Sequence, residues 1–533
     1  MSKCIAVAAF AMFFFASAQA DVPRVATQLL SHHATAAQTG NGQSDSGVGI
    51  SADGRFLIFR SLATDLVAGI VDDNAASDVF LYDRRSGRNE LISQRHDDAL
   101  RSASGNSYPI ALSDDGRFVL FASEAPDIMP MIDGNGSSLS GRDLFLRDRD
   151  NGTVRLLTRK NSAPGLTSAN AGLVNAVTMT EDGAFVGFMS GATDIIPGIA
   201  NPMSRTQIYV YSRTDDSIQM LTTKAGDPAA ASNSLNPSIQ RISDDGQWWL
   251  LISDGSDLVG GVTSPIGWGN LFLFKRDGST RLLLSRLGSN PNAGCAAYVR
   301  HADMNSDATR IVFDSECSAH ISGVTDTNGV GDIFRFDRPA NTITLLSHAD
   351  GNTAQTANGA STSPKLDMNG NVVFNSTASN FVPAGVDENG ESDVYLRTTE
   401  PTMELISVSA AAPVAGNGES FAARDPISDD GRYVTWIGDA SDLDDEVTDD
   451  NAVRDVFVRD RVRGKTELVS VRGTLPLRSG GGLSALGTAM TADGTAFVFG
   501  SFATELSADH VDANNVPDAY VAYFGALFSD GFE

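Results

Sequence analysis

The chain has 533 residues and a formal charge of −27, with 66 Asp and Glu against 39 Lys and Arg. So acidic a surface excludes nucleic acid and anionic lipid as main partners. Hydrophobic residues make up 41%, enough for a packed core, so the 51 glycines do not signal disorder.

Lys3, the apolar run from Ile5 to Phe15 and the small-x-small triplet Ala18-Gln19-Ala20 read as a secretory leader over residues 1–20. The mature chain then starts at Asp21. The run is too short to span a bilayer, and no later stretch is long enough for a membrane helix. An exported protein, periplasmic or secreted, is expected, and disulfides are allowed there.

From here one phrase recurs. Asp53-Gly54, Asp115-Gly116, Asp182-Gly183, Asp245-Gly246, Asp430-Gly431 and Asp493-Gly494 each precede a short apolar run, with Asp307-Ala308 and Asn369-Gly370 filling the gaps. Each is followed by a second phrase, such as Asp143-Leu-Phe-Leu-Arg147 or Asp455-Val-Phe-Val-Arg459, and a third that ends in a hydroxyl, such as Leu91-Ile-Ser93. Runs of four to six β-branched and aromatic residues bounded by Gly, Asp, Asn and Ser are strands, and Asp-Gly between two of them is a hairpin turn. In the first unit the strands are A (Val48 to Ser51), B (Phe56 to Phe59), C (Val79 to Asp83) and D (Asn89 to Ser93).

Eight equal four-stranded units predict an all-β chain folded as a single eight-bladed β-propeller over residues 21–524. The last unit lacks strand D. Thr27-Gln28-Leu29-Leu30-Ser31 carries the missing phrase, so the N-terminal strand is expected to complete the eighth blade and remove an open sheet edge. Residues 525–533 form a C-terminal tail.

Ser113-Asp-Asp-Gly-Arg-Phe-Val119 followed by Asp143-Leu-Phe-Leu-Arg-Asp-Arg149 resembles the WD-like repeats of TolB-type β-propellers, exported bacterial proteins. The resemblance covers nearly all of the mature chain and implies the propeller fold. It departs from TolB in having eight repeats where TolB has six blades and a second domain, so TolB's partner role does not carry over.

Strand parity puts the tight A–B and C–D turns on one face and the long B–C and D–A loops on the other. Long loops on a rigid scaffold usually carry function. The B–C loops repeat Asp-x-Asn-x-x-x-Asp: Asp72, Asn74, Asp78; Asp326, Asn328, Asp332; Asp387, Asn389, Asp393; Asp449, Asn451, Asp455; and Asp512, Asn514, Asp518. The second unit has a stretched version, Asp133 and Asn135 ahead of Asp143. Alternating carboxylate and amide oxygens suit calcium. Turn duty, in which these side chains bond their own backbone, ranks ahead of calcium binding. Ser61 with Asp65 and its repeats read as turns or caps, and Asp148-Arg149 and its repeats as turns or contacts between blades. Cys295 and Cys317 flank the A–B turn of the fifth unit and are expected to form a cross-strand disulfide.

No Gly-x-Ser-x-Gly elbow, no His-Glu-x-x-His and no ligand spacing among the seven histidines is present. Gly464-Lys465-Thr466 lacks the first glycine of a phosphate loop. No catalytic residue and no certain cofactor emerges. The leading expectation is a monomeric, non-enzymatic binding or scaffold protein that meets an unidentified protein or glycan through its long-loop face. A carbohydrate- or peptide-active enzyme with carboxylates at the central channel is the alternative; its mark would be a polar, asymmetric pocket on the channel axis. Calcium-dependent adhesion is the third reading. Trp248, Trp249 and Trp268 cluster in the fourth unit, where core packing is the expected use of the first two.

Overall fold

The computed structural model describes residues 24–524, apart from 46, 132, 134, 136–140, 161–166, 202, 266, 400–401 and 475. The leader, the start at Asp21 and the tail 525–533 lie outside the described residues. Eight four-stranded antiparallel sheets stand as blades, and each innermost strand touches the innermost strands of both neighbours, closing a ring. Blade one is Gly49–Ile50, Phe56–Ser61, Asp78–Asp83 and Arg88–Leu91, from the centre outward. Blade eight is Ser484–Met490, Ala496–Ser501, Asp518–Tyr523 and, last, the N-terminal strand Ala26–Leu29. That strand pairs in register from Ala26 opposite Tyr523 to Leu29 opposite Tyr520. The other inner strands are Ser107–Leu112, Leu173–Met179, Ser238–Ile242, Ala302–Met304, Ser361–Leu366 and Ser420–Ile427.

The middle strands are apolar on both faces because a blade is covered on both sides by its neighbours. Phe118–Ser123, for example, is buried throughout. Leu120 and Leu146 of blade two pack with Val186, Phe188 and Tyr209 of blade three. Burial of such side chains stabilises by roughly 1.5–3 kcal/mol each.

A hydrogen-bonded device repeats in all eight blades and explains the hydroxyl that ends each third phrase. Ser93 Oγ donates to Asp78 Oδ1 at 2.6 Å and accepts from Val79 N at 3.0 Å. Thr222 does the same with Gln207, and Ser285 with Asn270, where the acid is replaced by an amide. In blade eight the hydroxyl is Ser31, on the opposite end of the chain from its partner Asp518, at 2.7 Å. Between blades, the arginine that ends strand C lies over the aromatic residue that starts strand B of the preceding blade. Arg149 lies 4.6 Å from the Phe56 ring centre, Arg213 4.1 Å from Phe118 and Arg338 4.2 Å from Trp248.

Cys295 and Cys317 are bonded, with Cα atoms 6.2 Å apart. Neither sits on the strand ladder. Cys295 follows an extra hairpin, Arg286–Leu287 with Asn290–Gly294, and Cys317 lies two residues beyond strand B. In most other blades these two places hold Gly or Ala, as at Gly416 with Ala440 and Gly480 with Ala503, and the fourth has Ser232 with Gly255. The disulfide bridges these two places.

Candidate functional site

The inner strands surround a central channel and end in the tight A–B turns. One residue of each turn faces its neighbour around the ring. Ala52 N donates to Asp114 O at 2.9 Å, Asp114 N to Glu181 O at 2.8 Å and Asp429 N to Ala492 O at 2.8 Å, so the mouth is belted by bonds between blades. Four of these places are acidic: Asp114, Glu181, Asp244 and Asp429. Lost hydration, then the charges of Asp244 and Asp114, push the Glu181 carboxyl up to about 7. The other three are also raised, burial being the main cause in each.

One step further into the channel the ring divides into two walls. Blades four to seven contribute Arg241, Asp303, Lys365 and Asp425; blades one, two and eight contribute Gly49, Ala111 and Ala489. Three of the four charged residues lie where the inner strand shifts register: at Arg241, at Lys365 and between Ala422 and Ile427. Such irregularities re-aim side chains. Arg241 Nε is 3.9 Å from Asp303 Oδ1, and its Nη1 is 3.9 Å from Asp425 Oδ1. Lys365 Nζ is 3.8 Å from Asp425 Oδ1. The Asp303 charge, above all, holds the guanidinium firmly protonated. Asp303 Oδ2 accepts a hydrogen bond from Leu366 N at 3.0 Å. The two walls enclose about 290 Å³.

A second polar group belongs to blades five and six. His301 Nδ1 lies 2.6 Å from Asp314 Oδ2, and Asp314, buried, also accepts from the backbone N–H of Arg300, His301 and Ser363. The histidines had shown no pattern in the sequence because this pairing is across a strand pair.

The repeated acidic loops do not converge. Each clamps its own blade to the next. Asn74 Nδ2 donates to Asp78 Oδ2 at 3.1 Å while its Oδ1 accepts from Ala76 N; Asn389 and Asn451 treat Asp393 and Asp455 the same way. Asn328 reaches Ala357 O, and Asn514 reaches Gly42 O, both across to a neighbouring loop. Asp72 accepts from Ser102 Oγ, Asp326 from Asn328 N and Asp512 from Asn514 N, while Asp387 accepts from Tyr395 Oη. Burial, with Ser479 and Asn451 as hydrogen-bond donors opposing it, raises Asp449. The amide nitrogen, a donor, is what faces the carboxylate. Among the described residues no group of three or more His, Cys, Asp and Glu is disposed to hold a metal. Trp249 is fully buried and donates to Gly246 O, whereas Trp268 rests on Tyr298 with ring centres 4.7 Å apart.

Sequence reading missed Arg241, Asp303, Lys365 and Asp425. Arg241, Asp303 and Lys365 share one column of the repeat, where units one, two, three and eight have Gly49, Ala111, Thr178 and Ala489, and Asp425 lies one residue ahead of that column in its unit. Aligning the eight units column by column exposes the first three.

No protein-family model matches the sequence, and no curated protein matches it. Solved structures do. Dipeptidyl peptidase 4 of Porphyromonas gingivalis is 11% identical with a TM-score of 0.48, and the match covers 87% of this chain and 56% of that one. Oligogalacturonate lyase of Vibrio parahaemolyticus is 10% identical with a TM-score of 0.41, covering 94% and 98%. TolB of Acinetobacter baumannii is 13% identical with a TM-score of 0.29, covering 69% and 64%. The likeness is one of fold, and TolB-like propellers are among the similar structures.

The expectation of a non-enzymatic scaffold working through the long-loop face is corrected. The charged cavity lies on the channel axis, next to the tight-turn mouth, and its two walls differ. The long loops are spent on clamping blade to blade, which leaves the channel as the place where polar groups are gathered without being consumed.

Proposed function

We propose that this chain is an exported enzyme that acts on a carbohydrate or a peptide in its central channel. The observation that carries the reading is Glu181, a carboxyl pushed up to about 7, lining the same cavity as Arg241 and its two flanking carboxylates. A carboxyl poised near neutral pH serves as general acid or base. A fixed guanidinium stabilises negative charge that develops on a substrate oxygen. A second carboxylate next to the acid is what hydrolysis of a glycoside needs, and the same pair can serve amide chemistry. The cavity holds one sugar ring or one to two amino-acid units.

The test is turnover of a panel of oligosaccharides and short peptides by the purified protein, followed by mass spectrometry. Glu181→Gln is expected to lower kcat by about 10²–10⁴-fold, the usual contribution of a general acid or base, with an unchanged Tm. Turnover that survives both Glu181→Gln and Arg241→Met would remove the channel from the reaction. Absence of turnover across the panel would end the enzymatic reading.

A further inference from the structure

We propose that the channel recognises a zwitterion, an amino acid or a short peptide with free ends, through Arg241 for its carboxylate and Asp303 for its ammonium. This rests on the reading of the channel as the substrate site and narrows it to one substrate class.

Asp303 supplies the first observation. Its side chain is only 4% exposed, and Oδ1 accepts no hydrogen bond, the closest cation being Arg241 Nε at 3.9 Å. A buried carboxylate oxygen without a donor is costly, and native structures supply the missing partner from protein, water or ligand. Asp303 is among the residues that line the cavity, although Oδ1 itself is closed off from solvent, so the donor it lacks is one that a turn of the side chain would meet there.

Arg241 supplies the second. Among the described residues its guanidinium makes no hydrogen bond; both neighbouring carboxylates stop at 3.9 Å. Its N–H groups form a planar fork that matches a carboxylate in two parallel bonds. Arg241 with an unfilled donor fork and Asp303 with an unfilled acceptor oxygen line one cavity side by side, which is the complement of ammonium and carboxylate groups on one ligand.

Two further features agree. Asp114, Glu181, Asp303, Asp425 and Asp429 outnumber Arg241 and Lys365 in the lining, so a ligand that brings positive charge as well as negative is favoured. The opposite wall of Gly49, Ile50, Ala111, Leu112, Ala489 and Met490 offers apolar contact to a side chain. A neutral sugar would satisfy hydroxyl contacts but would leave the fork and its counter-charges without a match.

The experiment is calorimetric titration of the full chain with L-alanyl-L-leucine, its N-acetyl form, its C-terminal amide and glucose. The free dipeptide is expected to bind at least tenfold more tightly than either blocked form. Asp303→Asn should abolish the penalty for N-acetylation, and Arg241→Gln the penalty for amidation, each leaving the other in place. Ala489→Trp, which fills the cavity from the apolar wall without altering charge, should remove binding and guards against a misfolded Asp303 variant. Equal affinity for free and blocked peptides, or no binding of the dipeptide, overturns the proposal. Binding with this charge pattern but without turnover refutes the catalytic reading alone. Turnover of a saccharide that depends on Glu181, with no dipeptide binding, refutes this inference alone.

Discussion

Gly116 shows how a single residue ties a turn to the neighbouring packing. Its φ is +69°, which an L side chain rarely adopts, and an added Cβ would lie 2.2 Å from Phe56 Cδ2. Phe56 is also the ring beneath Arg149, so it cannot withdraw without loosening that contact. Gly116→Ala is expected to lower stability by about 1–2 kcal/mol for the left-handed backbone, with about 1–3 kcal/mol more from crowding. Denaturant unfolding measures it; a change below about 0.5 kcal/mol would mean the turn relaxes freely. This position was legible in the sequence because Asp-Gly recurs and has one conformational meaning. Arg241 and Asp303 were not, because a charged residue on a strand reads as solvent-facing unless the strand is known to line a channel. Ala308 sits between these cases: it adopts φ +54° where other units have Gly, so the turn is kept by its surroundings.

At the scale of elements, the B–C loops are inter-blade clamps. Residue types alone left two uses open for Asp72, Asn74, Asp78 and their repeats, since the same oxygens suit a cation or a backbone. The structure adds orientation: Asn74 turns its N–H₂ toward Asp78 and gives its oxygen to Ala76 N. A calcium ion would have to displace these bonds. The expected result of a calcium titration with a chelator control is therefore a flat Tm. A saturable rise would show that the folded ring binds the ion, and Asp326→Ala, Asp387→Ala and Asp449→Ala would locate it. The four-strand unit was legible because its phrases repeat. Among the described residues the two extra hairpins, Thr223–Lys224 with Asp227–Ala231 and Arg286–Leu287 with Asn290–Gly294, occur in only two connections and left no phrase to compare.

The whole molecule carries its acidity partly inside. Burial pushes Asp78, Asp143, Asp332, Asp393, Asp455 and Asp518 each up to about 7 from an ordinary 3.8. Between those two values the folded chain binds more protons than the unfolded one, so stability falls as pH rises through the window and levels off above it. Each group contributes at most about 1.4 kcal/mol per pH unit. Thermal melts from pH 8 down to pH 5 are expected to show a rising Tm. A Tm that is flat or falls toward pH 5 would mean these aspartates are ionised at neutrality through their Ser and Asn donors. The propeller itself was legible at this scale, since a strand phrase missing at one terminus stood at the other. The division of the channel into a charged and a small-residue wall was not, because it depends on which inner-strand residue each register shift turns inward.

The bond between Ser31 and Asp518 spans 487 positions. A ribosome adding roughly 5–20 residues per second needs on the order of half a minute or more to cover that distance. For that time Ala26–Leu29 has been made and has no partner, and the seven blades that follow it can stack but not close. The ring's last seam can be sealed only after Asp518–Tyr523 has been made, and a chain cut short before that strand keeps an open sheet edge.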